Sequence, residues 1–254
     1  MHARALPAFD DNYFWTLPCS AGLVVIDPGD ASVVIEHLDA TRQGLHAILI
    51  THHHHDHTGG ISGLAAAFPG VRVIGPREPR ISGITEFVID GDVVSLGEEV
   101  RLEVLETPGH TRSHIAYWRD GQVFCGDTLF SLGCGRMFEG TPRQMLDSLT
   151  RIAALGDDIA IYCAHEYTLA NARFAVCVDP NNVALRERVS EARALRDRGL
   201  PTLPARLCVE RACNPFLRVD QPPIADAANR RAGRTLADRY EVFATLRAWK
   251  DVFV

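Results

Sequence analysis

Apolar residues in the first two-thirds of the chain come in short branched runs bounded by turn residues. Gly22-Leu23-Val24-Val25-Ile26, Leu45-His46-Ala47-Ile48-Leu49-Ile50, Val71-Arg72-Val73-Ile74 and Ile159-Ala160-Ile161-Tyr162 have the texture of buried strands. Between Glu86 and Gly126 further strand-like runs are punctuated by Asp90-Gly91, Leu96-Gly97, Pro108-Gly109 and Asp120-Gly121. Asp120-Gly121, set between Tyr117-Trp118 and Val123-Phe124, predicts a tight hairpin. Helical spacing predicts helices over 31–42, 58–67 and 142–155, the last from Met145, Leu146, Leu149, Ile152 and Ala153. After about residue 166 the texture changes. Segments 168–178, 183–198 and 234–252 combine helical periodicity with arginine-rich faces, and 200–230 reads as a proline-punctuated connection. The pattern predicts an α/β domain over 1–166 and a small helical domain over 167–254.

The chain has 254 residues, enough for that arrangement, with 46% hydrophobic and 23% charged residues. No apolar run approaches the roughly 20 residues of a membrane span, so no membrane partner is expected. Met1-His2-Ala3-Arg4-Ala5-Leu6-Pro7 has no apolar core of a secretory signal, which points to the cytoplasm. Seven irregularly spaced cysteines read as buried reduced thiols rather than a disulfide framework. A net charge of −6 argues against nucleic acid held on a general basic surface. The charge is uneven: residues 186–254 are net basic and the rest acidic, so the basic stretch is either a solvated helical surface or a receiver of an anionic group.

The chemistry concentrates in Ile50-Thr51-His52-His53-His54-His55-Asp56-His57-Thr58-Gly59-Gly60, which holds five of the 11 histidines. Side chains two apart on an extended chain point the same way, so His52 and His54 can grip one cation while His53 and His55 face away. Asp56 and His57 fall where the strand gives way to a glycine-rich turn and helix, project differently, and can serve a second cation. Imidazole and carboxylate suit zinc, iron and manganese alike. An expression tag would be terminal and lack the Asp-His ending. A surface histidine tract would not directly follow a buried strand.

His-x-His-x-Asp-His is the pattern of the metallo-β-lactamase superfamily, and three further stretches resemble its later motifs. Thr107-Pro108-Gly109-His110-Thr111 implies His110 as the completing ligand of the first metal. Phe124-Cys125-Gly126-Asp127-Thr128-Leu129-Phe130 implies Asp127 as the bridging carboxylate, and Tyr162-Cys163-Ala164-His165-Glu166-Tyr167 implies His165 on the second metal. The resemblance implies an αββα sandwich with two divalent ions, zinc foremost, held by His52, His54, Asp56, His57, His110, Asp127 and His165. His114 is read as orienting a loop or ligand, and Cys125, Cys134 and Cys163 as packing.

Other stretches resemble glyoxalase II, the hydroxyacylglutathione hydrolases, over nearly the whole chain. They are the opening Pro7-Ala8-Phe9-Asp10-Asp11-Asn12-Tyr13-Phe14-Trp15, the run from Gly126 to Pro142, His165-Glu166-Tyr167-Thr168, Asn214-Pro215-Phe216-Leu217-Arg218 and Leu246-Arg247-Ala248-Trp249-Lys250-Asp251. The resemblance implies hydrolysis of S-(2-hydroxyacyl)glutathione thioesters such as S-D-lactoylglutathione, the second step of methylglyoxal detoxification. It implies that Arg136, Arg247 and Lys250 face the glycyl carboxylate and that Tyr167 bonds the cysteinyl part. Phe138 stands where a tyrosine is common, so one hydroxyl contact is lost. Lys250 is the only lysine in the chain. Arg247 and Lys250 are expected at the wet edge of a pocket, and the chain is expected to be a monomer.

The chemistry fits these parts. A hydroxide held between two cations is a strong nucleophile at neutral pH, since bound water has its pKa lowered to about 7. Asp56 and Asp127 would orient it, and a thiolate of pKa about 8.5 leaves without a general acid. Two rivals differ in class. A persulfide dioxygenase with a single iron would lack the Arg136 stretch and the Arg247-x-x-Lys250 helix. A non-catalytic metal-binding module would have lost a ligand or closed the site.

Overall fold

The computed structural model describes residues 3–253; Met1 and His2, read above for a leader, lie outside the described residues. The chain divides into two compact units, 1–107 with 113–126 and 108–112 with 127–254.

The first unit opens with an antiparallel meander of β1 (Arg4–Ala8), β2 (Asn12–Cys19) and β3 (Gly22–Ile26). Helix α1 (Ala31–Thr41) then crosses to β4 (Leu45–Leu49), parallel to β3. Asp30 starts α1 by accepting from Ser32 N. After α2 (His55–Thr58) and α3 (Ile61–Ala67), β5 (Arg72–Pro76) and β6 (Glu86–Val88) complete a mixed six-stranded sheet in sequence order. Val25, Ile48 and Val73 on this sheet bury against Val34 and Leu38 of α1 and Leu64 of α3. The alternate residues Val24, Ala47, Leu49 and Ile74 are buried as well, so the central strands are covered on both faces, which their continuous apolar runs require. A second, antiparallel set follows: β7 (Val93–Leu96), β8 (Val100–Glu106), β9 (Ile115–Arg119) and β10 (Gln122–Gly126). The fully buried Tyr117 of β9 donates its hydroxyl to Ile50 O and Ile74 O, at 3.0 and 3.1 Å, and ties the two sets together at the strand ends.

The second unit contains the short hairpin β11 (Leu129–Phe130) and β12 (Gly133–Cys134), then α4 (Pro142–Ala153), which starts with a capping box of Thr141 and Gln144. β13 (Ala160–Cys163) pairs with the later β14 (Ala205–Arg206). Around them stand α5 (Thr168–Val178), α6 (Val183–Asp197), α7 (Leu207–Cys213), α8 (Pro222–Ala232) and α9 (Arg239–Asp251). Phe174 of α5, Phe216 and Phe243 of α9 are fully buried, with ring centroids 5.8–5.9 Å apart in sequence, and Trp249 sets its edge on Phe174 at 5.4 Å. A buried polar clamp holds the β11–β12 turn. The Glu210 carboxylate accepts from Ser131 Oγ and Leu132 N, both at 2.7 Å, and from Asn214 Nδ2 at 3.0 Å. Asn214 Nδ2 also reaches Phe130 O and Gly133 O. These bonds keep Leu132 at φ +59°, a conformation costly for a branched residue. Burial raises the Glu210 pKa against them.

Four expectations need correction. The helix expected over 58–67 is two helices, α2 and α3, because Gly59 and Gly60 interrupt it and Gly60 N bonds Pro28 O instead. His55, expected to extend the strand, opens α2. The connection at 200–230 contains α7 and α8; prolines 222 and 223 sit in the first turn of α8, where a missing N–H costs nothing. The last helix starts at Arg239 rather than 234, since Asp238 caps it by accepting from Tyr240 N and Glu241 N.

Glu78, in the loop after β5, accepts from Arg80 Nε and from Ser113 Oγ, both at 2.7 Å. The Arg80 guanidinium foremost holds its pKa down from 4.5 to about 2. A depressed carboxylate pKa contributes stability that is complete above pH 4.5 and lost as pH falls toward 2. Acid unfolding of Glu78→Gln should therefore show less loss of stability over that window than the parent; equal loss in both would refute the assignment.

Candidate metal centre

In the first unit the donors gather at the ends of β3 and β4. Asp27 follows β3 and is held at φ +54° by its N–H to Leu49 O at 2.9 Å. Its carboxylate accepts from Thr51 N and Thr51 Oγ1, both at 2.7 Å, and Oδ2 lies 3.1 Å from His57 Nδ1. A carboxylate beside Nδ1 keeps the proton there and leaves Nε2 as the ligand nitrogen. Thr51 Oγ1 stands 3.1 Å from His52 Nδ1 and does the same for the neighbouring ring. His52 Nε2 and His54 Nδ1 then face each other at 3.1 Å, and the His52 and His57 rings are 4.1 Å apart. Asp56, in the first turn of α2, places Oδ2 3.4 Å from His57 Nε2 and accepts from Asn12 Nδ2 at 3.1 Å. His52 and His57 are buried; His54 and Asp56 are half-buried, open to a ligand. His53 packs its ring 4.9 Å from His54. His114 stacks on His52 at 4.8 Å and meets Thr107 Oγ1 at 2.9 Å, an orienting position. Gly126 ends β10 at φ +47°, and a Cβ there would come 2.5 Å from Thr51 Oγ1 and 2.8 Å from His114 Nε2.

The second unit gathers the other donors. His110 Nδ1 donates to Arg136 O at 2.8 Å, which turns Nε2 toward Asp127 Oδ2 at 3.4 Å. His165, just past β13, presents Nε2 3.4 Å from the other oxygen, Asp127 Oδ1. Asp127 thus offers one oxygen to each histidine, the arrangement a bridging carboxylate needs. All three residues are buried. Tyr167 stacks flat on His165 at 4.7 Å, and Phe130 sets an edge on both rings. Gly135 passes so close to Asp127 O that no side chain fits there.

These contacts test whether metals fit. Two nitrogens each about 2.0–2.1 Å from a tetrahedral ion stand roughly 3.3 Å apart, close to the His52–His54 separation. The 3.4 Å gaps at Asp127 exceed the usual N–H···O range of about 2.7–3.2 Å and suit atoms facing a common cation. The histidines and aspartates form groups suited to metal ions.

The residues expected on the substrate side also lie in the second unit. Arg247 is only 5% exposed, which corrects the expected wet edge: it gives Nη1 to Cys134 O at 2.8 Å and Nη2 to Asp251 Oδ1 at 3.1 Å, beneath the Phe216 ring. Arg136 is exposed and bonds the same Asp251 oxygen. Lys250 is half-buried with Nζ 5.7 Å over the Phe174 ring; burial first, then repulsion from Arg247 and Arg173, lowers its pKa. Phe138 is 61% exposed, its ring edge-on to His110 at 5.3 Å. Cys125 and Cys163 are buried, and Cys134 is too, with burial pushing its thiol up to about 11, an unreactive packing thiol. Among the described residues no cysteine is disulfide-bonded, and no helix is long and apolar enough to cross a membrane.

Comparison with known proteins agrees with this architecture. Residues 20–165 match the model of the metallo-beta-lactamase superfamily, and residues 166–253 match that of the hydroxyacylglutathione hydrolase C-terminus. A hydroxyacylglutathione hydrolase of Xanthomonas campestris is 52% identical over 257 residues, covering 100% of this chain and 99% of its own. One from Aeromonas hydrophila is 50% identical over 249 residues, 98% of each chain. The chain belongs to the hydroxyacylglutathione hydrolase family. The ETHE1 crystal structure from Myxococcus xanthus superposes with a TM-score of 0.67 at 26% identity, covering 97% of this chain and 90% of that one. The fold expectation therefore holds: a metallo-β-lactamase α/β fold followed by the helical C-terminal domain of hydroxyacylglutathione hydrolases.

Three contributors went unnoticed in the sequence: Asp27, Asn12 and Asp251. Asp27-Pro28-Gly29, directly after a buried strand, was the available signal for the first, because a charged residue there must find buried partners. Asn12 carried none, since its partner is 44 residues away; for Asp251 the sequence shows only the i,i+4 spacing to Arg247, while Arg136 is 115 residues away.

His54 faces His52 Nε2 through Nδ1 and is the candidate ligand of this pair of neighbours. His54→Ala should lower kcat by orders of magnitude with loss of bound metal, and His53→Ala should act mainly on stability; equal kinetic damage would contradict the assignment of His54 and not His53 as a ligand. Asp27→Asn should weaken metal affinity by about 10–100-fold with the ligands intact, read by chelator competition.

Proposed function

We propose that the chain hydrolyses S-(2-hydroxyacyl)glutathione thioesters, S-D-lactoylglutathione foremost, to glutathione and a 2-hydroxy acid. The single observation that carries this reading is the pairing of a complete histidine–aspartate donor set with a C-terminal domain of the glutathione thioesterase type. Full-length relatives near 50% identity are hydroxyacylglutathione hydrolases by name, which supports the same reaction and its place in methylglyoxal detoxification. The domain division is proposed at Glu166, where the two family matches meet.

His52, His54 and His110 would hold one ion, Asp56, His57 and His165 the other, with Asp127 shared between them. Zinc is the first candidate, iron and manganese the others. Bound there, such ions would activate water as the nucleophile and polarise the thioester carbonyl. The protein's own part is orientation. Asp27 and Thr51 fix the rings of His57 and His52, Arg136 O fixes His110, and Asn12 holds Asp56. Asp56 and Asp127 would orient the attacking water. The departing glutathione thiolate has a free pKa of about 8.5–9, so no general acid is required. Tyr167, already aligned by its stack on His165, would bond the cysteinyl part of the substrate. Arg136, Lys250 and the anchored Arg247 form the cationic wall for the glycyl carboxylate, and Phe138 lends an apolar surface in place of a hydroxyl. The enzyme is proposed to act as a monomer in the cytoplasm, with no nucleic-acid or membrane partner.

The test is an assay of S-D-lactoylglutathione hydrolysis with metal analysis. About two metals per chain and activity abolished by prolonged chelation are expected; full activity with one saturated ion would overturn the binuclear reading. The glycyl carboxylate is remote from the thioester, so its contacts act on KM more than kcat. Lys250→Ala should raise KM for a glutathione thioester roughly tenfold with metals retained, and the rise should shrink with salt. A short thioester lacking that carboxylate should be hydrolysed equally well.

A further inference from the structure

Asp251 ends α9, where a negative charge opposes the helix dipole, and its ion pair with Arg247 one turn earlier lies within that helix. Its contacts reach beyond the helix as well. Oδ1 accepts from Arg247 Nη2 and from Arg136 Nε, each at 3.1 Å, and its backbone carbonyl accepts from Arg136 Nη2 at 3.4 Å. One carboxylate oxygen therefore joins a buried guanidinium on α9 to an exposed one beyond β12. Arg247 is held at its other end by Cys134 O, two residues before Arg136, so hairpin, arginine pair and helix end form one closed ring of contacts. Around it stand Lys250 and, beside Phe174, Arg173, and among the described residues neither makes a hydrogen bond or ion pair. Among the same residues Arg136 Nη1 has no partner, while Arg247 has both Nη atoms committed.

We infer that Asp251 is a positioning residue: it locks Arg136 against Arg247, so that Lys250 and the outer edge of Arg136 are the groups left to take a ligand carboxylate. Arg247 is then the anchored member of the cationic wall. Arg136 has a long side chain on a connecting segment, and untethered it would lose rotamer freedom on gripping an anion. Asp251 meets that cost in advance. The inference rests on the glutathione thioesterase reading for the identity of the anion, but the tether itself does not.

Asp251→Asn keeps the size and removes the charge. KM for S-D-lactoylglutathione should rise about three- to tenfold with kcat unchanged, and a short thioester without the glycyl carboxylate should be unaffected. The double variant Arg136→Ala/Asp251→Asn should be no worse than Arg136→Ala alone, because Asp251 acts through Arg136. Asp251→Glu should restore part of the loss. A fall in KM would mean that Asp251 competes with the ligand, and additive losses would mean that it does not act through Arg136; either result overturns the inference. A loss in kcat and KM for every thioester would assign it a purely structural role and overturn the inference too. Exchange of the Arg136 Nε–H, followed by NMR, reads the tether without substrate and should quicken in Asp251→Asn. If the parent hydrolysed no glutathione thioester, the functional reading would fall, and unchanged exchange would separately refute the tether.

Discussion

The carboxylate of Asp27 is the constraint on which the first unit's donor geometry depends. It sits at the end of one strand and takes both the N–H and the hydroxyl of Thr51 at the end of the next, with His57 Nδ1 beside it. A carboxylate this deeply buried is tolerable only with its oxygens engaged. Each contact that satisfies it also orients a donor: Thr51 meets His52, and His57 is turned so that Nε2 points outward. The energetics of burial and the geometry of the ligands are thus one requirement. The left-handed backbone of Asp27 is the local cost, set against three short polar contacts.

The second unit solves the same problem with a larger polar clamp. Asp127 and Arg136 lie on either side of the β11–β12 hairpin, so the hairpin turn sets the spacing between a metal donor and the cationic wall. Glu210, Asn214 and Asn171 grip that turn through buried bonds to Ser131, Leu132, Phe130 and Gly133. Removing one partner would leave buried polar atoms unsatisfied at a cost of about 1–3 kcal/mol each, and it would also let the hairpin shift. The helical residues that supply the clamp therefore do more than complete a surface.

Legibility in the sequence followed the range of the interaction. Strands such as Gly22–Ile26 and the helix Thr168–Val178 are written locally, in apolar periodicity, and stand where that pattern predicts. The Asp120-Gly121 turn does join β9 to β10, with Gly121 at φ +79°. The helices α7 and α8 were hidden because α7 is short and α8 begins with two prolines, which read as a break from sequence alone. The candidate metal donors stand out in the sequence because their residue types and spacings are rare, and the two-residue alternation of His52 and His54 is visible without a fold. Their supports are not. Asn12 and Asp27 are ordinary polar residues whose partners are set by tertiary structure, as is Asp251's contact with Arg136.

That difference follows from what each group must do. A metal donor needs a particular atom type, so substitution is limited and the residue identity carries the signal. An orienting partner needs only to place a charge or a hydrogen bond against a ring or a guanidinium, and many local sequences can do so. Arg247 shows the consequence. Its place in the terminal motif suggests a residue turned to the ligand, yet its burial and its bonds to Cys134 O and Asp251 describe an anchor. A guanidinium held this way still acts on Lys250, whose pKa is lowered first by burial and then by repulsion from Arg247 and Arg173. On the proposed reading, recognition of the carboxylate depends less on one contact than on the positive charge of Arg136, Arg247 and Lys250 that the single carboxylate of Asp251 leaves in excess.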